Sequence, residues 1–158
     1  MRRSVVLGMV GAGCLLLGGC SPPYLPLAAV SLDADGAPVI ILRPCGDDEA
    51  HDLSLTESGS RKGTDTYWSA SGAWAGDVTF PLFSPPPSRT THREGPQRLV
   101  AGAEYALHAP VGDKTHNDYF IWLSFSTGDV RRLKPGQVFA DDRAMSRDAF
   151  DDLVDDAC

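Results

Sequence analysis

The densest set of groups able to do chemistry is Cys45-Gly46-Asp47-Asp48-Glu49-Ala50-His51-Asp52, where carboxylates and an imidazole stand close together along the chain. Hard cations take such oxygens, and zinc takes imidazole or thiolate. A zinc site needs three or four converging ligands, however, and neither paired cysteines nor a helical histidine pair accompanies this run. It reads as a solvated acidic loop beside a disulfide, with no metal assigned to it. Asp33-Ala34-Asp35-Gly36 has the opening of a calcium loop but lacks the full spacing and the closing glutamate, so it reads as a hairpin turn. Nucleophile patterns fail at particular residues. Ser71-Gly72 follows Ser69-Ala70, so the glycine that frees a strained serine elbow is missing. His92, His108 and His116 are scattered, and only the fold could bring them to Asp118 or Glu104 as a proton relay. No catalytic residue and no cofactor is assigned. Tyr67, Trp68 and Trp74 could offer aromatic faces to sugars or prolines, but the two tryptophans share parity on an alternating strand, as core residues do.

The cysteines are more informative. Arg2 and Arg3, an apolar run from Val5 to Leu17, and Leu17-Gly18-Gly19-Cys20 have the layout of an export signal that ends in a lipobox. The 13-residue run is shorter than the roughly 20 residues a membrane-spanning helix needs. Residues 1–19 are therefore expected to be removed and Cys20 to receive lipid. Cys14 is the weaker candidate, because Gly11 would stand where the leucine is required and the apolar run would be cut short. Removing the leader takes away Arg2 and Arg3 of the 14 basic residues and none of the 21 acidic ones, so the net charge moves from −7 to −9. Such a balance repels phosphate backbones, and nucleic acid is not an expected partner. The expected partner is the membrane, through lipid on Cys20. Cys45 and Cys158 then remain, an even pair that an oxidising compartment would join.

The elements that must position these groups are mostly strands. Ser21-Pro22-Pro23-Tyr24-Leu25-Pro26 reads as an extended spacer, giving a tether over 20–27 and one domain over 28–158. Ala28 to Leu32 and Val39 to Leu42 flank the Asp33 turn as a hairpin. Further strands are expected at Asp52 to Glu57, Thr66 to Trp74, Asp77 to Phe83, Gln97 to Val100 with Glu104 to His108, Tyr119 to Phe125, and Asp129 to Leu133. Leu53 with Leu55, Val78 with Phe80 and Leu82, and Phe120 with Trp122 repeat at the period of a half-buried strand. Pro85-Pro86-Pro87 and Gly95-Pro96 make Ser84 to Gln97 a long surface loop. Near the end the period lengthens: Ala149, Phe150, Leu153, Val154 and Ala157 share a helical face, with Ser146 as cap and Asp148 in the first turn. The spacing predicts a mainly β domain, an antiparallel β-sandwich rather than a barrel, with one C-terminal α-helix.

Asp33-Ala34-Asp35-Gly36-Ala37-Pro38-Val39, Leu42-Arg43-Pro44-Cys45, Lys134-Pro135-Gly136-Gln137-Val138-Phe139, Met145-Ser146-Arg147 and the final cysteine together resemble uncharacterised actinobacterial lipoproteins and membrane-anchored proteins. The likeness covers the two ends of the chain better than the middle. It implies the same disulfide and domain limits, and no function. The expected role is a non-catalytic binding or structural module on the extracytoplasmic face of the cell membrane, its protein or envelope ligand unknown. The alternative is a cell-envelope hydrolase or metal-dependent enzyme, which a cleft with converging histidine and carboxylate groups would favour.

Overall fold

A computed structural model describes residues 21–58, 65–87, 90–113 and 115–158; the expected leader 1–19 and the expected lipid-bearing Cys20 lie outside the described residues. In chain order the elements are β1 (Tyr24–Leu25), β2 (Ala28–Leu32), β3 (Pro38–Leu42), β4 (Glu49–Ser58), β5 (Tyr67–Ala75), β6 (Val78–Pro81), β7 (Thr90–Glu94), β8 (Glu104–Gly112), β9 (Asn117–Ser126), α1 (Thr127–Arg132), β10 (Gln137–Ala140), β11 (Arg143–Ser146) and α2 (Arg147–Ala157). One sheet runs β1-β9-β8-β4-β5-β7 and the other β11-β10-β2-β3-β6. Both sheets stay open, so the molecule is the expected sandwich. Its pairs are antiparallel except that β1 lies parallel to β9.

Alternation builds the core. Tyr105, Leu107, Ala109 and Val111 of β8 point inward, as do Tyr119, Ile121, Leu123 and Phe125 of β9, and they share one buried cluster with Val30, Ile40, Leu42 and Phe80 of the other sheet. Trp68 of β5 is fully buried, and its indole N–H donates to the Leu82 carbonyl beyond β6 at 2.9 Å, joining the two sheets. The β2–β3 hairpin closes on Asp33, whose Oδ1 accepts the backbone N–H groups of Asp35 and Ala37. Ser146 caps α2 by accepting the Ala149 N–H, and Phe150 and Val154 bury the helix against β10 and β11. Cys45 and Cys158 are joined in a disulfide with Cα atoms 5.4 Å apart. Arg43, just past β3, adds a second tie by donating to Asp77 and to Asp151 of α2.

Four local expectations are corrected. The packed domain begins before the expected residue 28: Phe120 donates to the Pro23 carbonyl, Tyr24–Leu25 pairs as β1, and Leu27 is wholly buried. Thr90–Glu94, inside the supposed long loop, is the edge strand β7. All five of its residues are exposed, so it carries no hydrophobic alternation to read. Gln97–Val100 is not a strand, because the Tyr105 hydroxyl takes up its backbone, accepting from Val100 N–H and donating to the Arg98 carbonyl. Finally, Asp129–Leu133 belongs mostly to helix α1. Ser126 and Asp129 form a capping box there, each satisfying the other's backbone N–H. Hydrogen bonds from Ser126, aided by Arg132, hold the Asp129 carboxyl below its ordinary range, against the opposing pull of partial desolvation.

Candidate functional site

Several register breaks coincide at one level of the six-stranded sheet. From Ala50 to Ser54 β4 advances four residues, while β8 advances three from His108 to Val111. From Ala50 to Leu53 β4 advances three, while β5 advances four from Ala70 to Trp74. A third break lies at Val111/Gly112, between β8 and β9. Bulges re-aim side chains and bend strands, and here Asp52 takes a left-handed backbone, φ 44°, at the kink. Pro110 occupies a central strand at the same level without leaving a ladder donor unpaired. Phe120, opposite it, sends its N–H away to Pro23, so the two form a non-hydrogen-bonded pair, and the proline nitrogen points toward the bulge in β4.

The breaks open a cleft of about 460 Å³ lined by His51, Asp52, Ser71, Pro110, Asp113 and Asn117, among others. His51 Nε2 donates to the Gly112 carbonyl at 2.5 Å. In the neutral ring this leaves Nδ1 as an acceptor. Asp113 Oδ1 accepts the Thr115 hydroxyl, the Thr115 N–H and the His116 N–H. Those bonds, led by the Thr115 hydroxyl, hold its carboxyl below the ordinary range, so it is charged at neutral pH. The cleft is therefore rich in acceptors, with an apolar wall at Pro110. The acidic run that stood out in the sequence divides: His51 and Asp52 reach the cleft, whereas Asp48 accepts from the Tyr119 hydroxyl at 3.0 Å. Tyr119 in turn accepts the Cys45 N–H. Burial, with the Asp48 carboxylate beside it, pushes the Tyr119 pKa up to about 12. Among the described residues no three His, Cys, Asp or Glu side chains converge as metal ligands.

Gly112 is the hinge of this arrangement. It has φ 135°, and a Cβ there would lie 2.5 Å from the His116 carbonyl oxygen and 2.8 Å from Asp118 N. Gly36 also has positive φ, but nothing lies within 4 Å of its would-be Cβ. Gly36→Ala is expected to cost only the conformational strain of about 1–2 kcal/mol, and Gly112→Ala distinctly more, because backbone must move. Urea melts of the two variants check this; equal losses would refute the close approach at Gly112.

The cleft opens beside an uncovered sheet face. Register places Trp122, His108, Ser54, Ser69 and His92 in one cross-strand row, and Ser124, Ala106, Thr56, Tyr67 and Glu94 in the next. The single carboxylate in these rows, Glu94, pairs with His92 at 2.8 Å. At the β1 edge Tyr24 stacks on Phe120 (ring centroids 5.2 Å) and Phe120 on His108 (5.1 Å), while Trp122 stands edge-on to Tyr24 and His108. Tyr24 is 64% exposed and Trp122 43%. Burial lowers the His108 pKa, which favours its neutral ring within this cluster.

Phe120 and Trp122 do share one face, as their period required, but it is the outer face of the sheet. Tyr119-Phe120-Ile121-Trp122-Leu123 is apolar at every position, so either parity could have faced the core. Trp68 and Trp74 do lie in the core, as their shared parity required. Of the scattered histidines, His92 pairs with Glu94 and His108 lies in the aromatic cluster. Against known proteins, no family model, no curated protein and no solved structure matches this chain.

Proposed function

We propose that the chain is an extracytoplasmic lipoprotein, tethered to the cell membrane by lipid on Cys20, whose domain binds a ligand without transforming it. The observation that carries the binding role is the cleft at the coincident register breaks. Carboxylates of Asp52 and Asp113, the Asn117 amide and the Ser71 hydroxyl line an open cavity beside an uncovered, largely uncharged sheet face. Acceptors in that proportion suit a ligand rich in hydroxyl donors, such as an envelope oligosaccharide. The tether is supported by Leu17-Gly18-Gly19-Cys20 at the end of the apolar run, and export by the Cys45–Cys158 bridge, a bond that oxidising compartments preserve. A hydrolase reading would make His51 the base, through the Nδ1 left free when its Nε2 donates to the Gly112 carbonyl.

One pair of measurements tests both halves. Each buried methylene contributes about 0.8 kcal/mol in lipid, and two acyl chains anchor durably where one does not. Cys20→Ser is therefore expected to shift the protein from the membrane to the soluble fraction, or to leave it unprocessed. A wild-type protein without lipid, or a serine variant that is processed and retained normally, refutes the tether. For the domain, calorimetric titration with soluble envelope oligosaccharides is expected to show reversible binding that Asp52→Asn weakens. Release of new reducing ends during the titration would make it a hydrolase instead.

A further inference from the structure

We infer that the aromatic cluster of Tyr24, Phe120, Trp122 and His108 is a second membrane contact, seated in the lipid headgroup layer beside the anchor. The inference rests on the tether proposed above. From Cys20 to Tyr24 the chain has four steps, and a fully extended chain covers at most about 3.3–3.6 Å per residue. Tyr24 therefore cannot stand farther than about 14 Å from the lipid-bearing residue, whatever path the spacer takes. Because β1 is paired into the sheet through Phe120, Tyr24 carries the whole outer edge of that sheet down with it.

What arrives at the interface has the chemistry for it. Trp and Tyr concentrate at membrane boundaries because one end of each ring is apolar and the other can hydrogen-bond to water or headgroups. Among the described residues, Tyr24 and Trp122 are the large hydrophobic side chains that the fold leaves most exposed, and they stand edge to face 6.0 Å apart. The two rows of outward residues that begin at Trp122 and Ser124 hold one carboxylate, in a chain whose mature net charge is −9. The acidic helix α2 packs on the other sheet, against β10 and β11. Acid does occur at the margins: besides Asp52 and Asp113 in the cleft with Pro110, which pairs with Phe120, Asp141 and Asp142 line a cavity of about 400 Å³ with Tyr24 and Trp122. A zwitterionic surface tolerates those charges better than an anionic one, and this sets the composition of the test vesicles.

Of the three tryptophans, Trp68 is wholly buried and Trp74 is 9% exposed, so Trp122 is the one a membrane can reach. The full, lipid-modified protein is reconstituted in phosphatidylcholine vesicles, with brominated acyl chains in one set and plain chains in the other. Brominated vesicles are expected to quench and plain ones to blue-shift the emission contributed by Trp122, and Trp122→Phe is expected to abolish both effects while the protein stays tethered and folded. Protein that floats with the vesicles and carries lipid at Cys20, but emits identically in both sets, overturns the inference and leaves the tether standing. A cluster occupied by a second copy or by a glycan would give that same unquenched result. Protein that neither floats nor carries lipid overturns the tether, and the inferred contact falls with it.

Discussion

Trp68→Ala is expected to lower the unfolding free energy by about 3–5 kcal/mol, the usual range for emptying a large aromatic site in a core. Domains of this size are stable by only about 5–15 kcal/mol, so the variant should be near its folding limit. Three losses combine. The fully buried indole fills the space between the sheets, its edge contact with Phe80 at 6.1 Å disappears, and the Leu82 carbonyl loses the 2.9 Å hydrogen bond. Trp68→Phe separates them, since it keeps most of the volume and removes the donor; about 1–3 kcal/mol is expected for the stranded carbonyl and the residual gap. Urea denaturation of both variants decides the matter. If Trp68→Ala costs less than about 1 kcal/mol, the indole does not join the sheets as described.

Opening the Cys45–Cys158 bridge is expected to cost roughly 2–4 kcal/mol and to free α2 first. The bond closes a span of 113 positions, for which restriction of the unfolded chain alone approaches the upper end of the usual range. Locally, α2 has 11 residues, too few to be stable by themselves. It is also tied by the burial of Phe150 and Val154 and by the Arg43 bond to Asp151. Arg43 and its partners are partly exposed, so that pair is worth less than the burial. Non-reducing peptide mapping should recover the fragments containing Cys45 and Cys158 as one species. Hydrogen exchange on the Cys45→Ala/Cys158→Ala variant should show loss of protection in α2 ahead of β8 and β9. Thiol labelling of both cysteines in denatured, unreduced wild type would show that no bridge exists. Unchanged protection in the variant would mean that packing alone holds the helix.

The sequence by itself determined those features whose physics is local. The Asp33 turn was legible because the carboxylate closes its own loop, and α2 because a cap, an acidic first turn and a single apolar stripe agree over eleven residues. The cysteine pair was legible by subtraction, since Cys20 closes the expected lipobox and Cys14 falls in the expected leader. Tertiary structure decided the rest, for reasons that differ by residue. At Thr90–Glu94 strand pairing comes from the β5 edge and leaves nothing buried to produce a pattern. At Asp129 a side-chain cap starts a helix where a strand was expected. At Tyr119 to Leu123 every residue is apolar, so the sheet's register, and nothing within the segment, chose which rings fill the core and which face solvent. The cleft is the extreme case: His51, Ser71, Pro110 and Asp113 come from three strands and a loop, and they meet only because ladders of unequal length must bulge at one level. A mismatch between neighbouring strands is a property of their pairing, and no one strand's sequence contains it.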